Sequence, residues 1–355
     1  MVAVPRRGRR PRRKRIAAST TSYRVYGLSL ASTLSLSCRR AGPTTRPDVR
    51  IMHAPADRFA IARREAAADR RQPGWFCASR LADGGIYLRW RGLFEFLVSP
   101  EGRRILYRRL EHATAGSFDV YLIGQVLSCS LVALGVEPLH GTASVIDGEA
   151  VVFLGDCGAG KSTLGAALLS RGFPVLTDDV VALKRRLGRW LVQPGVPRIK
   201  LFPSVASKLL GSRAEGVPMH HQTPKLVLPL GTGQALGRPV PLRAIYVLSR
   251  PVGDARSCRA RVEPLLGREA FLGVIRGLFN LIALDRERSA NQFALAARLV
   301  NDVAVRRLIY PRRLSALSDV CDTLLADFEG RPSLPVRERP LGSEAADRRD
   351  RRGCP

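Results

Sequence analysis

One eight-residue run has the composition and spacing of a phosphate-binding loop. Gly155-Asp156-Cys157-Gly158-Ala159-Gly160-Lys161-Ser162 satisfies the pattern GxxxxGK[ST] and is followed by Thr163. Glycines let successive backbone N–H groups converge on an anion, and a helix starting there adds the positive end of its dipole. Lys161 would reach the β/γ-phosphates of a nucleotide as a point charge, and Ser162 would offer its hydroxyl to Mg2+. The chemistry needs a strand before the loop and a helix after it. The apolar run AVVFL (Ala150–Leu154) supplies the first, and Thr163–Arg171, stopped by Gly172, supplies the second. A glycine-rich turn that binds nothing is the alternative, and the strand–loop–helix context disfavours it.

Two further residue groups bear on the same chemistry. Asp178 and Asp179 follow the strand-like FPVLT (Phe173–Thr177), where a Walker-B carboxylate belongs. One carboxylate could organise Mg2+ while the other takes the proton of an attacking hydroxyl; the alternative is a pair that caps a loop. His140, fifteen residues ahead of Gly155, is uninformative on its own. His220-His221 lacks metal spacing and reads as loop surface. Arg198 and Lys200 lie in a segment whose prolines and glycines read as structural, yet both could face a phosphate or an acidic substrate.

These residues need a frame. TASVI (Thr142–Ile146), Asp147-Gly148 and AVVFL read as a tight hairpin entering the loop. VVALK and RWLVQ read as a second hairpin around Leu187-Gly188. A proline- and glycine-spaced region runs from Pro194 to about Pro241, then the strand RAIYVL, then a mostly helical stretch from Glu269 to Val303. Upstream, YRVYGLSL, DVRIM, IYLRW and LFEFLV are short and β-like, with a helix around Arg58–Arg71. The expected organisation is a disordered basic tail over 1–21 and a small β-rich domain over 22–115. A catalytic domain over 116–330, entered through a buried helix at 119–136, and a flexible tail over 331–355 complete it.

Composition excludes several classes. The 355 residues carry 58 Lys+Arg against 30 Asp+Glu, a formal net charge of +28, with 45% hydrophobic residues. That is globular, and neither collagen-like nor disordered throughout. Only six basic residues are lysine, a skew typical of GC-rich coding, and eight of the basic residues fall in the first fifteen positions. Aromatics are 6% and none interleave a basic face, so sequence-specific nucleic-acid reading is not expected. Seven scattered cysteines without a CxxC pair give neither a disulfide framework nor a zinc site, which fits a cytoplasmic location. The longest uncharged run, Val120–Val136, is short for a membrane span and is broken by Gln125, Ser128 and Ser130.

The stretch LHGTASVIDGEAVVFLGDCGAGKSTLGAALLSRGFPVLTDDVVAL (Leu139–Leu183) resembles the catalytic core of bacterial HPr kinase/phosphorylase. The shared pattern is His-Gly, a hairpin, GDxGxGKS, a helix ending in Arg-Gly, and Asp-Asp. A looser group of HPr-kinase-like proteins is similar over more of the chain, through YRVYGL (Tyr23–Leu28), PGVPRIKLFP (Pro194–Pro203) and RLIYPRRLSAL. The resemblance implies an α/β (α+β) fold akin to phosphoenolpyruvate carboxykinase. It also implies ATP- and Mg2+-dependent phosphorylation of a serine on a small protein or peptide, such as a ribosomally made peptide precursor. By position it makes Lys161 the phosphate lysine, Ser162 the metal serine, Asp179 the base, His140 an active-site histidine and Arg250 a later catalytic arginine; beside these, Asp178 is read as helping Ser162 hold Mg2+. It allows a homo-oligomer. Where the bifunctional enzymes carry a metal-binding glutamate, this chain reads PGVPRIKLFPS, which leaves phosphorolysis unsupported. An ATP-binding switch or scaffold that transfers no phosphate is the alternative function.

Overall fold

The computed structural model describes residues 20–68, 74–211, 215–220, 223–251, 258–280 and 285–330. Positions 1–19 of the expected basic tail and the tail over 331–355 lie outside the described residues. The architecture is mixed α/β with several sheets.

The first sheet takes β1 (Thr21–Val25), β2 (Leu28–Ser32), β3 (Arg39–Arg40) and β4 (Val49–His53), then β5 (Phe76–Arg80), β6 (Ile86–Trp90), β7 (Phe94–Val98) and β8 (Arg104–Arg109). Its order is β3-β1-β2-β4-β8-β7-β6-β5, with β4 parallel to both β2 and β8. Between β4 and β5, α1 (Ala56–Ala68) covers one face through Phe59, which packs near Tyr87. The other face receives one apolar helical segment. It consists of α2 (Ala115–Tyr121), a single π turn (Leu122–Val126) and α3 (Leu127–Ala133). Phe118 and Tyr121 pack there against Trp90, Phe94 and Phe96. The helix begins earlier than the uncharged run suggests, because Thr114 Oγ1 caps it by accepting from the Ser117 N–H at 3.1 Å. Its 19 residues are long and apolar enough to cross a membrane by composition alone, and 72% of that window is buried inside the protein.

The second sheet is built from β9 (Leu139–Ile146), β10 (Glu149–Leu154) and β11 (Val175–Val181), with β12 (Leu183–Arg186) and β13 (Arg189–Val192) forming a hairpin at its rim. A separate three-stranded sheet, in the order β14-β16-β15, takes β14 (Arg198–Leu201), β15 (Val217–His220) and β16 (Thr223–Pro229). The second sheet then continues with β17 (Val240–Ser249), β18 (Arg261–Pro264) and β19 (Ala304–Ile309). β17 runs parallel to both β10 and β19. Alternate residues of β10 go to opposite faces. Val151 and Phe153 pack with α4 (Lys161–Ser170) and α8 (Leu317–Glu329), while Val152 and Leu154 pack with α6 (Gly267–Ile275) and α7 (Arg286–Asp302). The small sheet closes over α4 together with α5 (Pro203–Leu210). The proline- and glycine-spaced reading of 194–241 is thus corrected: its prolines sit at or near strand and helix ends, leaving three strands free to pair.

Two close approaches fix the layers around β11. The Tyr26-Gly27 turn of the first hairpin lies against the second sheet, with the Tyr26 N–H donating to Pro194 O at 2.8 Å. Gly195 lies on Thr177, where a Cβ would stand 2.1 Å from Thr177 Oγ1 and 3.2 Å from its Cα. No rotamer relieves a contact with the backbone, so β11 itself must move. Gly195→Ala is therefore expected to destabilise the protein by about 3 kcal/mol in denaturant unfolding. A change within about 0.5 kcal/mol would contradict this packing.

Candidate functional site

The loop after β10 has the conformation that its glycines allow. Gly155, Gly158 and Gly160 have φ of 146°, 74° and 100°, values that L side chains rarely adopt. Gly160 is the N-cap of α4, so the helix N-terminus opens directly onto the loop. Lys161 is the first helical residue, and its ammonium folds back to donate to Gly155 O at 2.7 Å and Asp156 O at 3.1 Å. Burial pushes its pKa down, while Cys157 and the two aspartates push the other way.

Asp178 and Asp179 lie within β11, not after a strand end, and this corrects the shorter strand expected from FPVLT. In a regular strand, neighbours point to opposite faces. Here both aspartates meet Lys200, because Asp179 has φ of 81° and breaks the alternation. That conformation is strained for a non-glycine residue, by on the order of 1–3 kcal/mol. The Thr177 hydroxyl bridges the irregularity by donating to Val180 O at 2.6 Å. The buried Asp178 carboxylate is fully engaged. Its Oδ1 accepts from Thr142 Oγ1 at 2.7 Å and from Ser162 Oγ at 2.8 Å, and its Oδ2 accepts from the Lys200 N–H at 2.9 Å. Ser162 and Asp178, expected to share a metal, are thus in direct contact.

Asp179 has its own partners. Lys200 Nζ lies 2.5 Å from Oδ2, and His140 Nδ1 lies 3.6 Å from Oδ1. Burial alone would raise this carboxyl, but Lys200, His140 and Arg198 outweigh it and hold Asp179 well below the usual carboxylate range. The π turn lies alongside, since a Cβ on Gly124 would stand 3.2 Å from Asp179 Oδ2. His140 Nδ1 is also 3.0 Å from Asp179 O. A carbonyl only accepts, so Nδ1 carries the hydrogen and Nε2 keeps its lone pair in the neutral ring. Burial is the largest influence on His140 and lowers its pKa, which favours that neutral form at pH 7.

Arg198 takes partners other than Asp179. Its guanidinium pairs with Asp119 at 2.5 Å and donates to Ser37 Oγ at 3.0 Å, tying β14 to α2 and to the first sheet. His220 is corrected too. It ends β15, stacks on Trp75 at 5.9 Å and packs at a tilt against Tyr121 at 5.6 Å. His221 lies outside the described residues. Arg250 is exposed at the end of β17, and its charge acts on Arg312.

The sequence reading missed the strut formed by Tyr310 and Arg312, although it quoted the segment that holds them. Tyr310 OH donates to Ala159 O and Arg312 Nη1 to Gly158 O, each at 3.1 Å. A Cβ on Gly160 would lie 2.7 Å from Tyr310 OH, so the last loop glycine is required sterically as well as conformationally. The reading also gave Thr142 no role. The signal available for Lys200 was its rarity, since Lys161, Lys200 and Lys225 make up half of the chain's six lysines. Lys225 acts electrostatically on Lys161, so all three gather at this site.

The donors suit a hard cation. A serine hydroxyl beside one carboxylate matches the donor types by which Mg2+ is held at nucleotide sites, where phosphate oxygens and water complete the shell. Among the described residues no group of three His, Cys, Asp or Glu side chains could hold a metal by itself. No family model matches the chain, and no curated protein matches it. Among solved structures, it is similar to the Hpr(Ser) kinase/phosphatase from Coxiella burnetii, at 19% identity over 54% of this chain and 93% of that one, with a TM-score of 0.29. The structural relation to an HPr kinase is distant. The functional reading therefore rests on the geometry of the loop and the two aspartates.

Proposed function

We propose that this chain is an ATP- and Mg2+-dependent, HPr-kinase-like serine kinase acting on a small protein or peptide in the cytoplasm. Residues 116–330 would form a catalytic unit akin to phosphoenolpyruvate carboxykinase, with the β-rich 22–115 beside it. The observation that carries the reading is the convergence of Ser162, at the start of α4, with Asp178 and Asp179 in the strand that follows α4. Loop N–H groups and the α4 N-terminus bind the phosphates of ATP, and Lys161 turns from its carbonyls to the β/γ-phosphates. Ser162 and Asp178 are the residues that would hold Mg2+, which when bound offsets phosphate charge. The acceptor serine hydroxyl donates to Asp179, its oxygen bonds to the γ-phosphorus, and the bond from that phosphorus to the ADP oxygen breaks. The serine proton passes to Asp179 and on to water. Arg250, beside Arg312, adds positive charge at the loop. With Lys200 in the segment that lacks the glutamate, the reading includes transfer and not phosphorolysis.

One observation favours a second reading, an ATP-binding switch or scaffold: Lys200 holds the Asp179 carboxylate at 2.5 Å. Calorimetric titration with ATP, with and without Mg2+, tests the nucleotide site common to both. Mg2+ is expected to tighten ATP binding, and Ser162→Ala to remove most of that gain. Equal affinities with and without Mg2+ in the unaltered chain would contradict the metal assignment.

A further inference from the structure

The surface beyond Asp179 has a composition that the nucleotide chemistry does not use. Strand register in the small sheet sets Lys200 opposite Val227, and Val227 opposite Val217. Directly opposed residues share a face, so these three project together, while Ile199, Leu201 and Leu228 pack on the other side. One step along, the Lys225 ammonium sits 5.3 Å from the ring centre of Phe202. Phe202 is 43% exposed and Val217 57% exposed, in a protein whose other large apolar residues are mostly buried. Lys225 forms no salt bridge among the described residues.

Direction assigns this face. In a phosphoryl transfer the attacking and leaving oxygens lie roughly in line on opposite sides of phosphorus. Asp179 marks the attacking side, and Lys200, bound to its carboxylate, places the face on that side too. Resting on the kinase reading above, we propose that the face formed by Val217, Phe202 and Lys225 docks the acceptor chain. Its serine lies at Asp179, an apolar side chain of the acceptor covers Phe202 and Val217, and an acidic side chain pairs with Lys225. Charge complementarity selects the occupant: the half-buried Lys225 ammonium and the chain's formal charge of +28 repel a basic segment and attract an acidic one.

The test uses the full chain at saturating Mg2+ and a non-hydrolysable ATP analogue, with a degenerate library of serine-centred peptides captured and sequenced. The unaltered chain is expected to enrich Asp or Glu at one side of the serine and apolar residues at another position. Lys225→Glu should turn the acidic preference into a basic one, and Phe202→Ser should abolish the apolar preference. No enrichment overturns the proposal, as does an acidic preference that Lys225→Glu leaves in place. A tenfold or greater loss of analogue affinity in Phe202→Ser, with peptide preferences intact, also overturns it, by giving the ring to the nucleotide base. If the analogue fails to bind the unaltered chain, the kinase reading falls, and the same enrichment without nucleotide still decides the docking face.

Discussion

Replacing Asp179 with Asn lowers phosphoryl transfer by about 10^3 while ATP binding is kept, on the site geometry described above. The carboxylate's ion-pair partners among the described residues are Lys200 and His140, neither in the loop, so its oxygens are placed for the acceptor and not for the phosphates. The same contacts hold it ionised and weakly basic. A weak base suffices for a loose transition state, in which the hydroxyl is aimed early and deprotonated late. Asn keeps the size and one acceptor for Lys200 Nζ, so the fold survives the change. Rates from γ-labelled ATP, alongside calorimetric ATP affinity, check both halves. Retention of transfer would remove Asp179 from the mechanism, and loss of ATP binding would move it to the nucleotide.

Lys161→Ala has an effect of similar size on transfer and a different one on binding. Among the described residues the ammonium bonds to two loop carbonyls, a contact that phosphate oxygens can replace at little cost in geometry. Deleting a charge-assisted donor of this kind weakens ATP binding by about tenfold to a hundredfold. Removing its charge from the γ-phosphoryl group slows transfer by about 10^3. Unaltered affinity for both ATP and ADP would contradict the assignment. The two variants separate on this point, since Asp179→Asn keeps the affinity for ATP and Lys161→Ala weakens it.

The phosphate loop was legible because each of its demands is local. Positive φ calls for glycine, and phosphate calls for lysine in the first helical turn, so strand, loop and helix are written in one short run. The hairpin of β9 and β10 was legible for the same reason, with Asp147-Gly148 at its turn. What surrounds Asp179 was not legible, because it is assembled from distant parts of the chain. Lys200 comes from β14, His140 from β9 and Gly124 from a π turn. The strand through Asp178 and Asp179 read short because acidic residues ordinarily end strands. Here Thr142, Ser162 and Lys200 satisfy Asp178, and Lys200 neutralises Asp179, so the strand continues to Val181. Arg198 and Lys200, two residues apart, took different partners. Arg198 pairs with Asp119 on α2 and reaches Asp179 through its charge alone, while Lys200 bonds Asp179 directly.

The central claim is that this site moves the γ-phosphoryl group of ATP onto serine. The most direct measurement incubates the full chain with Mg2+, γ-labelled ATP and the degenerate serine-centred peptide library, beside Asp179→Asn, and identifies the labelled residue by mass spectrometry. The account predicts label on serine with the unaltered chain and at most a trace with Asp179→Asn. Label on no serine in a preparation that binds Mg-ATP, or equal labelling by the two chains, would contradict it.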